Sequence, residues 1–361
     1  MIHIHGGNVY QYEHTADFSA NINFRGMPQQ VRAAALSAVD RSVHYPEPGC
    51  QSLKKTLAVR EGVTEEMILC GNGAAEVMFS LAFALRPRRA LLAQPCFFEY
   101  EQALSAVGCE INHWMLEAKE EFRVGSELAG QITEDTDLVI LGNPNNPTGQ
   151  LIETSVLEAI AETCAKTGCM LVLDESFLDF LSDEDVARTS SGVALMRRNL
   201  PLCLFVIKSF TKMYAMPGLR FGYGICGDRD LLLRMQGLMQ PWNVSLPAQM
   251  AAEAAAREIT YAKETARQTA GNREWMREQM QALGYTVFPS CTNYLLFIGA
   301  ADLKEYCVQR GYLIRDCSNF RGLARESGHE GAGYYRICVR SQEENEALLA
   351  VLAERASRRL P

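Results

Sequence analysis

The chain has 361 residues, of which 48% are hydrophobic and 22% are charged. At about 150 residues per domain, this length predicts two domains or one large α/β unit with an accessory lobe, and enough apolar material for a large core. The 43 acidic side chains outnumber the 35 basic ones and give a net charge of −8. This balance argues against nucleic acid as the main partner, because nucleic-acid-binding surfaces are basic. Any anionic ligand must be held by a few local cations.

The composition also indicates the cellular compartment in which the protein works. No apolar run reaches the roughly 18 residues of a membrane span, and residues 1–8 lack the basic start and apolar stretch of a signal peptide. The twelve cysteines include no C-x-x-C pair and no His/Cys cluster with zinc spacing. Most lie in apolar, strand-like stretches, so we interpret them as small core residues. We expect a cytoplasmic protein in a reducing environment, with no metal site and no membrane contact.

The first 40 residues show little regular patterning, and we expect a loop-rich N-terminal arm that packs on the C-terminal lobe. Residues 41–246 alternate short apolar runs with helical patterns such as Glu153–Lys166. Apolar runs without strict alternation are typical of strands covered on both faces, so this large domain is predicted to hold a mostly parallel sheet between helices. The strand candidates are 90–93, 138–141, 170–173, 202–207 and 219–226.

From residue 247 to residue 361 the pattern is that of a smaller α+β domain. Residues 248–283 are rich in Ala, Glu, Arg and Gln, which predicts one or two long helices. Strand and helix candidates then alternate to the end of the chain. The strand candidates are 285–289, 293–298 and 334–340, and the helix candidates are 302–310 and 341–358.

Common nucleotide-binding and hydrolase motifs are absent: there is no G-x-x-x-x-G-K-[ST], no G-x-S-x-G and no H-E-x-x-H. The segment Gly71-Asn72-Gly73-Ala74-Ala75-Glu76 follows a strand and opens a helix, but Glu76 stands where a dinucleotide fingerprint needs a third glycine. This turn is either a plain strand-to-helix connection or a phosphate site, since a helix start presents backbone N–H groups to an anion.

Polar side chains follow three of the predicted strands. Asn143–Gly149 is a loop stiffened by two prolines, Asp174 ends the next strand, and Lys212 comes after another. Open α/β sheets bind ligands at the carboxyl ends of their strands. A lysine there can form an imine with an aldehyde if its surroundings lower its pKa, and the neighbouring Ser209 and Arg220 suit a phosphate. Each residue alone also fits a solvated surface, but together they predict one site.

The motifs N-P-N-N-P-T-G, D-E and S-F-T-K followed by G-L-R-F-G resemble those of the fold type I pyridoxal-phosphate enzymes, the aspartate aminotransferase superfamily. The resemblance spans essentially the whole chain. It implies a large α/β domain with a mostly parallel sheet of the seven-stranded type, a smaller α+β C-terminal domain, and pyridoxal 5'-phosphate as cofactor.

Within this superfamily the chain is similar to the threonine-phosphate decarboxylases of cobalamin biosynthesis and, next, to the histidinol-phosphate aminotransferases. The H-G-G-N start and the S-A-N-I-N stretch favour the decarboxylases. The stretches that carry this likeness are His5–Asn8, Asp17–Asn23, Tyr45–Pro46, Pro241–Val244, Leu313–Cys317 and Tyr334–Arg336.

The resemblance also implies how the cofactor is held. Lys212 would bond to its aldehyde carbon, and Asp174 would pair with the pyridine nitrogen and keep it protonated, so that the ring withdraws electrons. Asn146 would hydrogen-bond the ring hydroxyl and Phe97 would stack on the ring. The cofactor phosphate would be held by Gly73, Ala74, Ala75, Ser209 and Arg220, and by the partner subunit's Tyr45 in a homodimer.

For the substrate, Arg336 resembles the family's carboxylate-binding arginine. The resemblance implies that Arg315 and His5 bind the substrate phosphate and that Asn21 lies near the carboxylate. His5 equally fits an exposed arm residue, and Arg315 equally fits an ion pair at a strand end. Phe177 stands where many aminotransferases have a tyrosine that tunes the imine, and the decarboxylase pattern tolerates this change.

The implied activity is that of a carbon–carbon lyase, which converts L-threonine O-3-phosphate to (R)-1-amino-2-propanol O-2-phosphate. One alternative is an aminotransferase of the histidinol-phosphate type that uses 2-oxoglutarate. Another is a decarboxylase of L-serine O-phosphate, since one methyl group changes binding by only about 1–3 kcal/mol. The third is a non-catalytic binding protein, against which Lys212 and Asp174 argue. Decarboxylation and transamination differ in which bond at Cα stands perpendicular to the ring, and residue types do not fix that torsion.

Overall fold

The computed structural model describes residues 6–12, 15–197, 203–324 and 332–357. Its strands are β1 Ala16–Asp17, β2 Ile68–Gly71, β3 Arg89–Gln94, β4 Glu110–Met115, β5 Leu138–Gly142, β6 Met170–Asp174, β7 Leu204–Ser209, β8 Gly222–Cys226, β9 Thr286–Val287, β10 Tyr294–Ala300, β11 Tyr312–Leu313, β12 Arg315–Asp316 and β13 Ala332–Cys338. Its helices are α1 Gln29–Asp40, α2 Gln51–Glu61, α3 Ala74–Leu85, α4 Phe98–Ser105, α5 Thr154–Thr167, α6 Asp183–Arg188, α7 Gly192–Met196, α8 Arg229–Leu238, α9 Leu246–Arg257, α10 Ile259–Ala282, α11 Leu303–Val308 and α12 Gln342–Ser357.

The large lobe is built on a seven-stranded sheet in the order β2-β8-β7-β6-β5-β3-β4. Only β8 runs against its neighbours β2 and β7, so the predicted mostly parallel sheet between helices is confirmed. Both faces are covered. In β6, for example, Leu171 and Leu173 join one apolar cluster, whereas Val172 between them joins the cluster on the opposite face. This two-sided burial explains why the strand sequences are continuously apolar.

The small lobe has an antiparallel sheet in the order β12-β13-β10-β9. Helix α10 packs against β9 and β10, and α12 packs against both α10 and α11. Its own apolar cluster contains Phe18 from the N-terminal segment. Beside it, β1 pairs in parallel with β11, and the backbone N–H of Cys338 donates to the Phe18 carbonyl at 2.7 Å. The segment just after residue 15 is thereby fixed to the small lobe and approaches the β13 strand.

The expectation of a loop-rich start is wrong for residues 29–40, which form the helix α1. This helix follows Pro28 and packs against α9, where Val31 and Ala38 are buried. Its apolar residues Leu36 and Val39 stay exposed, so the sequence lacks the continuous apolar stripe that identifies a surface helix. The buried alanines of α9 join the cluster of the large lobe, and the domain limits at residues 40 and 246 stay predictions.

Several element bounds differ from the predicted ones for local reasons. The last strand of the large sheet starts at Gly222 and not at 219, because Pro217–Leu219 form a short 3-10 helix and Arg220 is left-handed with φ 61°. The 248–283 segment is two helices, which break at Glu258. The edge strand β4 was missed, since its mixed sequence is only partly buried.

In the part of the chain that the structure describes, no helix is long and apolar enough to cross a membrane. All the cysteines are free thiols, and each is buried except Cys203.

Candidate active site

The candidate site lies at the carboxyl ends of β6 and β7. These strands are parallel and in register, with Asp174 opposite Ile207, so Asp174 and the segment after Ser209 meet at one edge of the sheet. A cavity of about 280 Å³ opens there. Most residues predicted for the site line it, namely Asn21, Ala74, Ala75, Phe97, Asn146, Asp174, Ser209, Lys212, Arg220, Arg315 and Arg336.

Two predicted residues that the structure describes, Gly73 and Tyr45, are not part of this lining. Gly73 lies just behind it, with φ 85°, and a Cβ there would come within 2.5 Å of the Arg220 guanidinium. Tyr45 is 78% exposed and stacks on Trp242, with ring centroids 4.4 Å apart. His5 lies outside the described residues.

Asp174 is held by two side chains that the sequence did not single out. The Tyr100 hydroxyl donates to Oδ2 at 2.7 Å, and the backbone N–H and hydroxyl of Ser176 donate to Oδ1 at 2.9 and 2.5 Å. Burial, together with Asp174 itself, raises the pKa of Tyr100 well above its usual value, so Tyr100 remains a donor. The carboxylate is therefore fixed in orientation where it meets the cavity.

Lys212 lies on the cavity wall three residues beyond β7. Burial, with Arg336 and Arg220 nearby, lowers the pKa of its ammonium to about 8. A lysine with such a pKa is partly neutral near physiological pH, and the neutral amine is the nucleophile. The lowered pKa thus meets the condition on which the predicted imine chemistry depends.

The start of α3 presents hydrogen-bond donors that are suited to an anion. This helix has no side-chain cap, so the N–H groups of its first turn are available to an anion. The hydroxyls of Ser209 and Thr211 lie 2.8 Å apart beside it, and Arg220 lines the same end of the cavity. A Cβ on Gly222 would stand 2.3 Å from the Ala74 nitrogen, which shows how closely β8 packs under this turn.

Two arginines form a second cationic region. Arg315 and Arg336 are opposite each other on the antiparallel strands β12 and β13. Arg336 donates to the Asn146 side-chain oxygen and, at 3.0 Å, to the Ser19 carbonyl. Arg315 donates to the Asp316 carbonyl and to Asn319 Oδ1, both at 2.8 Å. Guanidinium groups held this firmly can bind carboxylate or phosphate in a fixed orientation.

Buried polar atoms next to these arginines point to a ligand. Arg336 Nε and Asn21 Oδ1 have no hydrogen-bond partner in the described part of the chain. A buried donor or acceptor left unpaired costs about 1–3 kcal/mol, so this region is suited to a polar molecule that supplies the missing partners.

The residues present fit pyridoxal phosphate. The cavity offers a carboxylate for the ring nitrogen at Asp174, an amide for the ring hydroxyl at Asn146, an amine for the aldehyde at Lys212, and the α3 turn for the phosphate. Phe97 lines the cavity with its ring edge-on to Tyr100, at a centroid distance of 5.7 Å. With the fold, this donor set defines the class: a fold type I enzyme that uses pyridoxal phosphate.

Comparison with known proteins agrees with this class. Residues 13–352 match the family model for aminotransferase class I and II, and the chain belongs to that family. It is 36% identical to the threonine-phosphate decarboxylase of Salmonella typhimurium, over 96% of this chain and 95% of that protein.

Two solved structures show the same fold. The histidinol-phosphate aminotransferase from Clostridium acetobutylicum superposes with a TM-score of 0.84 at 26% identity, covering 94% of this chain and 99% of that one. The L-threonine-O-3-phosphate decarboxylase from Porphyromonas gingivalis gives a TM-score of 0.78 at 27% identity, covering 93% and 98%. The family is thus established, whereas both reactions remain represented among its similar members.

Proposed function

We propose that this protein is a cytoplasmic enzyme that decarboxylates L-threonine O-3-phosphate to (R)-1-amino-2-propanol O-2-phosphate, in cobalamin biosynthesis. The observation that carries the proposal is the pair Arg315 and Arg336, two guanidinium groups on neighbouring strands of the small sheet that line the cavity in addition to the donors of the α3 turn. A phosphorylated amino acid has two anionic groups to place there. The identity to the Salmonella typhimurium enzyme supports the same reaction.

In this proposal Arg336 binds the substrate carboxylate and Arg315 binds its phosphate. Asn146, which accepts from Arg336 through its side-chain oxygen, keeps its amide nitrogen as the donor for the cofactor ring hydroxyl. Asn21 and the orphaned Arg336 Nε complete the polar wall around the carboxylate. His5 is proposed as a further phosphate ligand.

Pyridoxal phosphate, when bound, supplies a ring that withdraws the electron pair left on Cα as carbon dioxide departs. The residues of this chain set the outcome. Arg336 and Arg315 fix the two anionic ends of the substrate and so decide which bond at Cα stands perpendicular to the ring. Lys212 Nζ in its ammonium form, or a water molecule beside it, would then supply the proton that takes the place of the carboxylate on Cα.

The histidinol-phosphate-type aminotransferase stays the second candidate, because the Clostridium acetobutylicum structure is so similar. The test is carbon dioxide release from L-threonine O-3-phosphate by the cofactor-loaded protein with no 2-oxo acid present. Parallel samples contain L-serine O-phosphate, or histidinol phosphate with 2-oxoglutarate. Sustained release from threonine phosphate supports the proposal. Glutamate formation in the histidinol phosphate sample, without release, supports the aminotransferase. A protein with no cofactor absorbance would support a non-catalytic binding role.

The working unit is proposed to be a homodimer in which the partner subunit's Tyr45 reaches the cofactor phosphate. The stacked pair Tyr45 and Trp242 is exposed, and so are the nearby apolar residues Leu36, Val39 and Val43. A large exposed apolar surface commonly marks an interface. Sedimentation of the cofactor-loaded protein tests this, with the dimer mass expected and the monomer mass contradicting it.

A further inference from the structure

The segment that carries Lys212 is a turn and not a helix or a strand. Residues 210–216 form bends and turns between β7 and the short 3-10 helix Pro217–Leu219. Within them the Lys212 carbonyl accepts a long hydrogen bond, from the Ala215 N–H at 3.4 Å. Ala215 itself is left-handed, with φ 47°, and a residue with a Cβ keeps this unfavourable conformation only where its surroundings hold it. The position of Lys212 therefore depends on contacts from outside the turn.

Asn23, from the N-terminal segment, makes such contacts. Its backbone N–H donates to the Lys212 carbonyl at 3.1 Å, and its side-chain Nδ2 donates to the next carbonyl, that of Met213, at 2.7 Å. Asn23 and Met213 are only 3% and 1% exposed, and a hydrogen bond shielded from solvent is electrostatically stronger than one in water. One residue thus fixes the two successive carbonyls that follow the Lys212 Cα.

The side chain of Asn23 is itself held by further hydrogen bonds. Its Oδ1 accepts from the Arg25 N–H at 2.9 Å, and its Nδ2 also donates to the Tyr261 hydroxyl at 2.9 Å. That hydroxyl donates in turn to the Gly26 carbonyl at 2.6 Å. An amide nitrogen has two N–H donors, so the bonds to Met213 and Tyr261 use both. The orientation of the amide is therefore fixed.

Asn23 lies at one end of a segment that also reaches Arg336. The carbonyl of Ser19, four residues earlier, accepts from Arg336 Nη2 at 3.0 Å. Asn21, between these two points, lines the cavity. Residues 19–23 therefore connect the arginine proposed to bind the substrate carboxylate with the main chain of Lys212.

We propose that Asn23 is a positioning residue for Lys212, which holds the turn so that Nζ is presented to the cofactor aldehyde and joins this turn to the segment that fixes Arg336. Asn23 lies outside the cavity lining, so it acts through Lys212 and not on a ligand. The inference rests on the proposed role of Lys212 as the cofactor lysine, and it is independent of which reaction follows.

Loss of the Asn23 side chain should slow bonding of Lys212 to the cofactor and leave non-covalent binding of the cofactor unchanged. The groups proposed to hold the ring and the phosphate, Asp174 and the α3 turn, belong to other elements. In the covalent step Lys212 Nζ bonds to the aldehyde carbon, and the aldehyde oxygen leaves as water. That step needs the nitrogen at a defined place, and a misplacement of about 1 Å can cost about 100-fold in rate.

The test mixes cofactor-free protein with pyridoxal phosphate in a stopped-flow spectrophotometer and follows the imine absorbance. The rate at saturating pyridoxal phosphate reports the covalent step, and the concentration for half-saturation reports the binding that precedes it. In Asn23→Ala the saturating rate should fall by about 10- to 100-fold, and the concentration for half-saturation should not change. Pyridoxine 5'-phosphate, which has an alcohol in place of the aldehyde and cannot bond to a lysine, should bind equally well to the variant and to the unmodified protein.

Asn345→Ala is the matched control, since Asn345 is a buried asparagine with the same kind of main-chain contacts. Its Oδ1 accepts from the Arg340 N–H at 2.9 Å and its Nδ2 donates to the Arg340 carbonyl at 3.0 Å. This variant should lose stability to denaturant and keep the saturating rate. Asn23→Asp is the second variant, and it carries the test if Asn23→Ala does not fold. It keeps the shape and the acceptor for Arg25 but lacks the donor to Met213, so its saturating rate should also fall.

An unchanged saturating rate in the Asn23 variants, or an equal fall in Asn345→Ala, would overturn the inference. A matching loss of pyridoxine 5'-phosphate binding would also overturn it, because the whole site and not the lysine would then be disturbed. No turnover is involved, so a failure to release carbon dioxide from threonine phosphate would refute the proposed reaction and leave this result standing.

Discussion

Two lysines four residues apart, Lys208 and Lys212, are held in opposite electrostatic surroundings. Lys208 Nζ lies 2.9 Å from Glu61 and 3.3 Å from Glu175, in a buried network with Arg60 and Asp179. Burial alone would lower the pKa of Lys208, but the carboxylates of Glu61 and Glu175 more than offset it, and its pKa is raised. Lys208 therefore stays a cation.

Lys212 is also enclosed by protein, but its charged neighbours Arg336 and Arg220 are cations that add to the effect of burial. Its pKa falls to about 8. The comparison shows that burial does not by itself make a lysine reactive, because the sign of the neighbouring charge decides the outcome. One lysine is structural and the other is suited to chemistry, although Lys208 lies in β7 and Lys212 only three residues beyond its end.

The largest expected effect is the loss of activity when Lys212, the lysine with the lowered pKa, is replaced. Lys212→Ala removes the amine proposed to bind the cofactor and to supply the proton that replaces the carboxylate on Cα. Carbon dioxide release should fall by about 10⁴-fold, the upper end of what a positioned proton-transfer group contributes. The measurement is the rate with saturating threonine phosphate. A loss of less than tenfold would show that another group carries the proton.

Replacing Lys208 should instead affect stability. Lys208→Met takes the cation away from the buried Glu175 and leaves Glu61 with Arg60, and breaking a buried ion pair costs about 3–5 kcal/mol. Denaturant unfolding should show this decrease, while the folded fraction keeps its cofactor absorbance. If stability were unchanged and absorbance lost, the two lysines would have to exchange roles.

Arg315→Gln should weaken binding of the substrate and leave binding of the cofactor unchanged. Hydrogen bonds to charged groups contribute about 1.5–3 kcal/mol, so KM for threonine phosphate should rise roughly 10- to 100-fold. Arg321→Gln, which removes a surface partner of Glu101, is the control and should leave KM unchanged. Equal effects of both substitutions would contradict a phosphate role for Arg315.

The smallest effect concerns the rate at which the cofactor-free protein takes up pyridoxal phosphate. The neutral amine of Lys212 reacts, and its fraction grows as pH rises through about 8. The rate should increase by about tenfold between pH 7 and pH 9 and then level off. A rate that still rises steeply above pH 10 would point to a lysine with an ordinary or raised pKa.

The positions of Asp174 and Lys212 could be predicted because they depend on short-range rules. Each follows a continuously apolar strand, and parallel strands bring their carboxyl ends to one edge. The hydrogen bond from Tyr100 to Asp174 joins residues 74 apart in the chain, and no local sequence pattern predicts it. A signal for Ser176 did exist, since a serine two residues after an aspartate is a common turn partner.

The charged groups that surround each lysine could not be predicted from the sequence either. Nothing near Lys208 in the chain shows that Glu61 reaches it, because that contact joins α2 to the central sheet. The surroundings of Glu99 in the cavity wall likewise include Lys212 and Arg315, which come from segments distant in the chain. Helix α1 was missed because packing on α9, and not its own apolar pattern, defines its buried side.

The most direct test of the account is to locate the lysine that carries the cofactor. Borohydride reduction of the loaded protein fixes pyridoxal phosphate to the nitrogen it is bonded to, and peptide mass spectrometry then identifies that residue. We expect the added mass on Lys212 and none on Lys208. Label on Lys208, or on neither lysine in a protein that shows cofactor absorbance, would contradict it.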